Sequence, residues 1–506
     1  MDISKTLRSV QLDAANNKPL YLQIATAIAD KIIDNTLLPG AKLPPERELG
    51  SLFNVSRTTA INAYRWLEQQ ELVVTKVGSG TYVNKISTSH SNSPQVPWSQ
   101  LFVPYPQTPM SSILKELVST TGSDELISLA TGMPDPSLYP IDTFKNLLAK
   151  HIDKVTLADF GYISTEGYTP LRHSVTSLLE NKGINTTWDK TMILSGSQQG
   201  LYLISRVMLE RGDYVVVESP TYIGAIQIFQ AIGARVLVLP VSDTFPLDIL
   251  EDYLIRYRPK MLFMIPTFQN PTGGVLSEYE RQELINLAAR HRLVIVEDDP
   301  YGDLYYQEKP PAPIKTMDTY DGVVYMGTFS KNISPGLRLG YVTGHPALIQ
   351  RLALEKQYID LHSNNFSQLL VHLYLEAGCL EEHLSMVRNE YKKRRDAMVK
   401  ALKRYFDNNL QFKIPEGGFY IWCKLEGSVT SSKLLHEATK NGVFFVPGEA
   451  FYTLPNEDKE FRLSFATHPE KILVEGIKRL FKAFEAVNKS NHNKKHPSSV
   501  PIKPII

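Results

Sequence analysis

The chain has 506 residues, 43% hydrophobic and 21% charged, with a formal net charge of +1 and two cysteines. This length exceeds one ordinary core, so two or three domains are expected, with a globular composition. The net charge averages over domains, so it neither supports nor excludes a nucleic-acid partner. We find no apolar run long enough for a membrane helix, no secretory signal and no metal-ligand spacing of cysteines, so a reducing cytoplasm is the expected compartment.

The first elements in chain order are three predicted helices and a hairpin. An amphipathic helix is predicted in PLYLQIATAIADKII, and Pro39-Gly40 stops it. A second helix begins at the prolines of PPERELGSLF, and Ser56 is a natural N-cap for a third, RTTAINAYRWLEQQ. A β-hairpin is predicted in LVVTKVGSGTYV, which alternates around Gly-Ser-Gly. Together these elements predict a winged helix-turn-helix.

The third predicted helix has the two faces that a DNA recognition helix needs. Ala60, Ile61, Tyr64 and Leu67 are predicted to point inward, which leaves the opposite face to meet base edges and phosphates. The predicted DNA contacts on both helices and the hairpin are Arg47, Arg57, Thr58, Thr59, Asn62, Arg65, Lys76 and Gly80. A helical protein-interaction module with solvated charges is the alternative, because helix-turn-helix spacing alone is only moderately specific.

A family resemblance covers this part of the chain. The DNA-binding domain of the GntR family of bacterial regulators closely resembles LPPERELGSLFNVSRTTAINAYRWLEQQELVVTKVGSGTYV, within about residues 17–84. The resemblance implies a DNA-binding domain in the bacterial cytoplasm. Residues 85–120, which begin with a stretch rich in Ser, Pro, Asn and Gln, are then predicted to be an extended linker.

Residues 121–486 are predicted to form an α/β domain. Helical segments alternate with short β-branched runs such as YVVVES, KMLFMIP, RLVIVEDD and VVYMGTFS, which predicts βαβ units and a mostly parallel sheet. From about residue 365, longer helices followed by FKIPEGGFYIWCKL and KEFRLSFA predict a smaller α+β lobe. The polar and basic residues 487–506 are expected to form a disordered tail.

Side chains suited to pyridoxal 5′-phosphate (PLP) follow the predicted strands of this domain. A lysine amine such as that of Lys331 can condense with the PLP aldehyde. The other PLP groups call for phosphate donors, a carboxylate at the pyridine nitrogen, a neutral donor at the phenolic oxygen O3′ and an aromatic plate. The candidate phosphate donors are Ser197, Gln198 and Arg338. Asp298 is the candidate carboxylate, Asn270 the neutral donor and Tyr222 the aromatic plate, and further candidates nearby are Thr328, Ser330 and Tyr301. Each residue alone has an ordinary structural explanation, but their common position at strand ends predicts one ligand site.

The order and spacing of these residues resemble fold-type I aminotransferases, in the subgroup of aminoadipate and kynurenine aminotransferases, over about residues 125–485. The resemblance implies that Lys331 forms the PLP aldimine, that Asp298 pairs with the pyridine nitrogen and that Tyr222 stacks on the ring. The implied O3′ contacts are Asn270 and Tyr301, and the implied phosphate contacts are Ser197, Gln198, Thr328, Ser330 and Arg338. Three further implied residues are Tyr162 for the partner subunit's phosphate, Arg462 for the substrate α-carboxylate and Gly132 on a substrate-side loop.

A GntR-type head joined to an aminotransferase-like domain resembles the MocR subfamily of bacterial transcription regulators. The resemblance implies a PLP-dependent regulator that binds a DNA operator, senses an amino acid, an amine or PLP, and forms a domain-swapped homodimer away from membranes. A working aminotransferase with a DNA-binding head is the alternative, because no expected catalytic position is visibly lost. A scaffold that keeps only the fold is a weaker interpretation, since Lys331 and Asp298 are present.

Overall fold

The computed structural model describes residues 3, 7, 12, 19–33, 36–76, 79–84, 126–155, 161–240, 244–454 and 456–494. The chain divides into two compact units between residues 105 and 106. The predicted linker, residues 85–120, lies outside the described residues, as do residues 495–506 of the predicted tail. Residues 487–494 are helical, so the expectation of a disordered tail is wrong there.

The first unit is a winged helix-turn-helix, which confirms the predicted fold. Its elements are α1 (Leu20–Ile33), α2 (Glu46–Leu52), α3 (Arg57–Gln69), β1 (Val73–Lys76) and β2 (Gly80–Val83). The two strands pair antiparallel, with Val73 opposite Val83 and Lys76 opposite Gly80. A core of apolar side chains from all three helices and the hairpin holds the unit together.

Helix α3 begins and packs largely as its sequence predicts. The Ser56 side chain caps it by accepting a hydrogen bond from the Thr59 N–H at 3.1 Å. Ala60, Tyr64 and Leu67 are buried, but Ile61 is only half-buried, and Ala63 takes the remaining place in the core. The buried face of the helix is therefore slightly rotated from the predicted one.

The second unit contains a seven-stranded sheet in the order β4-β10-β9-β8-β7-β5-β6. These strands are β4 (Thr191–Leu194), β5 (Tyr214–Ser219), β6 (Arg235–Pro240), β7 (Met261–Met264), β8 (Val294–Asp299), β9 (Val323–Thr328) and β10 (Gly340–Thr343), numbered after β3 (Ile127–Ser128). Strand β10 pairs antiparallel with β4 and β9, and the other pairs are parallel. The prediction of a mostly parallel sheet is confirmed.

Helices cover both faces of this sheet. The helices before, between and directly after its strands are α4 (Ile141–His151), α5 (Thr169–Asn181), α6 (Ser197–Met208), α7 (Ile223–Ile232), α8 (Leu247–Arg256), α9 (Glu278–His291) and α10 (Pro346–Gln357). Successive residues of β5 face opposite sides: Val215 and Val217 pack with α6 and α7, whereas Val216 packs with α8 and α9. Burial on both faces explains why these strands read as continuous apolar runs.

The C-terminal part of the unit is an α+β lobe. Its elements are α11 (Asn365–Glu376), α12 (Cys379–Phe406), β11 (Leu410–Phe412), β12 (Tyr420–Leu425), α13 (Ser431–Lys440), β13 (Val443–Phe444), β14 (Val446–Pro447), β15 (Glu460–Ser464) and α14 (Glu470–Lys494). Strands β11-β12-β15-β14 form one sheet, and β13 pairs with β3. Leu473, Ile477, Leu480 and Phe484 give α14 a buried stripe against α12, which stabilises the helix beyond residue 486. In the described part of the chain, no helix has the length and apolarity needed to cross a bilayer.

Candidate functional site

A cavity of about 410 Å³ lies in the second unit, between the ends of the central strands and the α+β lobe. The sequence-predicted residues that line it are Gly132, Ser197, Gln198, Tyr222, Asn270, Asp298, Tyr301, Lys331 and Arg462. They come from positions 132 to 462 of the chain, so only folding brings them together.

Strand direction explains why these residues meet. Strands β5, β7, β8 and β9 are parallel, so their carboxyl ends lie at one edge of the sheet. Tyr222 follows β5, Asn270 follows β7, Asp298 is next to last in β8, and Lys331 follows β9. Asp298 in β8 lies opposite Met326 in β9. Because Lys331 comes shortly after the end of β9, it lies just beyond the aspartate at the same edge of the sheet.

Lys331 and Asp298 have the electrostatic character of reactive groups. Burial lowers the pKa of the Lys331 amine, and its Nζ donates a hydrogen bond to the Gly132 carbonyl oxygen at 2.8 Å. Burial, with the adjacent charge of Asp299, raises the pKa of Asp298 to about 7, although the charge of Lys331 opposes this. Asp298 Oδ1 is buried and has no hydrogen-bond partner among the described residues, so the cavity wall contains an unsatisfied acceptor.

One end of the cavity has the features of an anion cradle. Helix α6 begins at Ser197 directly after Gly196, whose φ of +100° is unfavourable for other residues. A Cβ at Gly196 would lie 2.8 Å from Nη2 of Arg338, which donates to the Ser195 carbonyl oxygen at 3.2 Å. The N-terminus of α6 and the guanidinium of Arg338 therefore lie side by side, and both attract negative charge.

Four predicted phosphate residues do not line the cavity: Thr328, Ser330, Tyr162 and, beside the N-terminus of α6, Arg338. Thr328 and Ser330 are buried, and the Thr328 hydroxyl accepts a hydrogen bond from the Ser330 N–H at 3.1 Å. Tyr162 is 84% exposed and packs edge-on against His362, with their ring centroids 5.8 Å apart. Within one chain, Tyr162 therefore faces outward.

Arg462 is held firmly at the opposite side of the cavity. Its Nη1 donates to Asn270 Oδ1 at 2.8 Å, and its Nη2 donates to the Ala130 carbonyl oxygen at 2.7 Å. The guanidinium lies 4.0 Å from the ring centroid of Tyr420 and 4.8 Å from that of Phe451. Its Nε is buried without a partner in the described structure, so a donor remains for an anion.

Sequence reasoning missed Tyr420 and Phe451. Tyr420 lines the cavity, and its hydroxyl accepts a hydrogen bond from Tyr301 at 3.1 Å. In the sequence both residues stand among apolar and aromatic neighbours, in FYIW and AFY, which are typical of an ordinary core. No local pattern distinguishes them, because their position depends on how the α+β lobe packs against the sheet.

The first unit presents the predicted DNA contacts on its surface. Arg47, Arg57, Thr58, Arg65, Lys76 and Gly80 are exposed, and Thr59 and Asn62 are half-buried. Arg57 forms a two-point ion pair with the Glu46 carboxylate, 3.2 Å from Nε and 3.0 Å from Nη2, which the sequence did not reveal. Lys42, also missed, lies 5.8 Å from the ring of Tyr82, and Lys76 lies 5.5 Å from the same ring. This side of the hairpin is therefore basic.

The described residues contain no group of three or more His, Cys, Asp or Glu side chains arranged to hold a metal ion.

Comparison with known proteins identifies the family. Residues 125–480 match the family described as aminotransferase class I and II, and residues 20–83 match the bacterial regulatory proteins of the gntR family. The uncharacterized HTH-type transcriptional regulator YisV of Bacillus subtilis is 35% identical over 94% of this chain and 97% of its own. The chain belongs to the MocR group, in which a GntR-type regulator is fused to a class I and II aminotransferase domain.

The aminotransferase domain has close relatives without the DNA-binding head. The aromatic-amino-acid aminotransferase 1 of Thermococcus litoralis is 37% identical over 73% of this chain and 90% of its own. The crystal structure of Pyrococcus horikoshii kynurenine aminotransferase, a complex with PMP, has a TM-score of 0.73 and 37% identity, over 77% of this chain and 98% of its own. The chain is thus a DNA-binding regulator with an aminotransferase-like domain, and its family supports PLP dependence.

Proposed function

We propose that this chain is a transcription regulator that senses an amino compound through PLP bound covalently at Lys331. The observation that carries the proposal is the meeting of Lys331, Asp298 and Arg462 in one cavity, which combines an amine nucleophile, a carboxylate and a carboxylate receptor. When bound, PLP supplies an aldehyde that condenses with amines and a ring that accepts electrons.

The cavity residues fit this cofactor. The unpartnered Oδ1 of Asp298 is an acceptor for a protonated pyridine nitrogen, and pairing there relieves the cost of its burial. The N-terminus of α6 with Ser197, Gln198 and Arg338 suits a phosphate, with Thr328 and Ser330 supporting the neighbouring turn. Tyr222 is assigned to stack on the ring. Asn270 and Tyr301 are assigned to O3′. Because Asn270 Oδ1 accepts from Arg462, the NH₂ group of Asn270 remains as the donor for O3′.

The effector is proposed to be an amine with a carboxylate. Its amino group competes with the Lys331 amine for the cofactor aldehyde, while its carboxylate pairs with Arg462 through the free Nε. This exchange would free the Lys331 amine, which in the cofactor-free chain donates to the Gly132 carbonyl oxygen. This exchange of partners gives the bound and free states different contacts, which any ligand-driven change in DNA affinity requires.

Operator binding is assigned to the face defined by Arg47, Arg57, Thr58, Thr59, Asn62, Arg65, Lys76 and Gly80. Two heads bind two half-sites in a homodimer, which we propose for the second unit as well. The exposed ring of Tyr162 supports the dimer, because a residue lent to the partner subunit's phosphate must point away from its own cavity. A domain-swapped arrangement of the heads belongs to the same proposal.

A second candidate function is transamination. Lys331, Asp298 and Tyr222 all line the cavity, and a lysine of lowered pKa can move a proton at the substrate α-carbon as well as hold the cofactor. Measurement of keto-acid product in the presence of amino acids and PLP tests this candidate independently of DNA binding.

The experiment that tests the proposed function combines absorbance with DNA binding. PLP added to the purified chain is expected to produce a visible absorbance band, and one of a panel of amino acids is expected to shift it. The same amino acid is expected to change the affinity for operator DNA. A chain that remains colourless with added PLP contradicts the cofactor assignment, and an amino acid that shifts the band without changing DNA affinity contradicts the sensing role.

A further inference from the structure

Tyr420, which has no assigned role, contacts several residues that do. Its hydroxyl accepts a hydrogen bond from Tyr301 at 3.1 Å, and its ring lies 4.0 Å from the Arg462 guanidinium. A Cβ on Gly132 would lie 1.7 Å from the Tyr420 hydroxyl oxygen, so that hydroxyl occupies the space next to the loop residue to which Lys331 donates. The phenol therefore touches the O3′ side, the carboxylate side and the lysine side of the cavity.

We propose that Tyr420 is a further positioning residue of this site: its ring orients Arg462 for the effector carboxylate, and its hydroxyl controls protonation at the Lys331 nitrogen. This inference rests on the proposed function and deepens it. The two parts of the side chain act on different neighbours, so substitution separates them.

The ring contact limits the orientations of Arg462. The guanidinium carbon lies over the rings of Tyr420 and Phe451, while two of its nitrogens donate to Asn270 and the Ala130 carbonyl. The cation is attracted to the ring faces, which restricts the positions that the guanidinium can take. Loss of the aromatic ring leaves Arg462 charged and hydrogen-bonded but free to tilt, which would weaken binding of a carboxylate at the free Nε.

The hydroxyl acts through two neighbours. Tyr301 donates to Tyr420 and has one proton to donate, so this hydrogen bond would compete with its donation to O3′ of bound PLP. Burial raises the pKa of Tyr420, but Arg462, Lys331 and the Tyr301 hydrogen bond outweigh burial and lower it. A phenol of increased acidity next to Lys331 favours the protonated nitrogen, and Tyr420 indeed opposes the lowering of the Lys331 pKa by burial.

The two effects of the Tyr420 hydroxyl, through Tyr301 and through its own acidity, both favour the protonated Lys331 nitrogen. Without the Tyr420 hydroxyl, the single Tyr301 proton would be available to O3′ of bound PLP, which would make O3′ a weaker acceptor for a proton on the Lys331 nitrogen. The nitrogen also loses a neighbour of negative character. The other groups that face Tyr420 or Lys331 are Tyr222, Asp298, Arg338 and Arg462, and these remain in place.

The test compares Tyr420→Phe and Tyr420→Leu with wild type in the full chain loaded with PLP, with the exposed Tyr279→Phe as a matched control. The first measurement is the pH dependence of the cofactor absorbance band. Tyr420→Phe is expected to lower the apparent pKa by about one pH unit, and Tyr279→Phe is expected to leave it unchanged. The second measurement is titration with a responsive amino acid, for which Tyr420→Leu is expected to bind about fivefold more weakly than Tyr420→Phe.

The outcomes separate this inference from the proposed function. If Tyr420→Phe takes up PLP and titrates like wild type, the role of the hydroxyl is overturned while the proposed function stands. Equal amino-acid affinity of the Phe and Leu variants overturns the role of the ring. If Tyr420→Leu fails to fold, the Phe variant still decides the hydroxyl. A wild-type chain that takes up no PLP overturns the proposed function and this inference together.

Discussion

The Arg462 guanidinium donates to the Asn270 side-chain oxygen at 2.8 Å, across 192 positions of the sequence. This hydrogen bond joins β15 of the α+β lobe to the loop that follows β7 of the central sheet. It couples the proposed carboxylate receptor to the proposed O3′ contact, so a carboxylate bound at Arg462 would act directly on a residue assigned to the cofactor.

Substitution of Asn270 tests this coupling. Asn270→Ala removes the acceptor for Nη1 and is expected to weaken binding of a responsive amino acid about tenfold, because hydrogen bonds to charged groups contribute about 1.5–3 kcal/mol. The measurement is the amino-acid dependence of the absorbance band. An amine without a carboxylate is the control ligand and should lose less affinity. Equal losses for both ligands would show that Asn270 does not act through Arg462.

Lys331→Ala is expected to remove covalent attachment while leaving the DNA-binding head intact. The wild-type chain, reduced with borohydride in the presence of PLP, should gain the cofactor mass, and the variant should not. Operator affinity without an effector should remain, but the response to an amino acid should disappear. Lys145→Ala, which removes an exposed lysine that pairs with Asp142, is the matched control and should behave like wild type. Retention of cofactor mass by Lys331→Ala would place the attachment at another lysine.

Arg57→Ala is expected to reduce specific operator affinity at least about tenfold, because a lost base or phosphate contact costs about 1–3 kcal/mol. The fold should tolerate the change, since the Arg57–Glu46 pair is exposed, with 68% and 40% of the two side chains accessible, and contributes at most about 1 kcal/mol. The PLP absorbance should not change. The control is Arg290→Ala, an exposed arginine of the second unit. Unchanged operator binding by Arg57→Ala would refute its assignment to the recognition face.

The stability of the cofactor-free chain should depend on Asp298. The pKa of this carboxyl is about 7 in the folded chain and 3.8 as the reference value. The folded state therefore holds the proton longer, so stability falls as the pH rises from about 4 to about 7. Asp298→Asn cannot ionise and should flatten this part of the profile by at most about 4 kcal/mol.

The measurement for Asp298 is the free energy of unfolding against pH for both chains without PLP. Glu218 and Glu297, whose pKa values burial also raises to about 7, are present in both and cancel in the difference. Addition of PLP should stabilise wild type more than Asp298→Asn, because only the aspartate pairs with a protonated pyridine nitrogen. Parallel pH profiles for the two cofactor-free chains would contradict the burial argument.

The local part of the architecture could be predicted from sequence. The cap at Ser56, the buried stripe of α3, the alternation in the hairpin and the apolar runs of the parallel sheet depend on residues close in the chain. The strand-end positions of Tyr222, Asp298 and Lys331 followed as well, because parallel strands share one carboxyl edge. The end of α14 was misjudged, since its last turns are polar and are stabilised by contacts of its earlier turns with α12.

The sequence by itself therefore determined the two folds and predicted nine of the residues that line the cavity. The tertiary structure decided which neighbours those residues have: Tyr420 between Tyr301 and Arg462, Glu46 on Arg57, and the free oxygen of Asp298. The physical reason is the separation along the chain of the residues that interact. Helix caps and strand alternation act over a few residues, whereas hydrogen bonding and burial in the cavity depend on side chains brought together from distant parts of the chain.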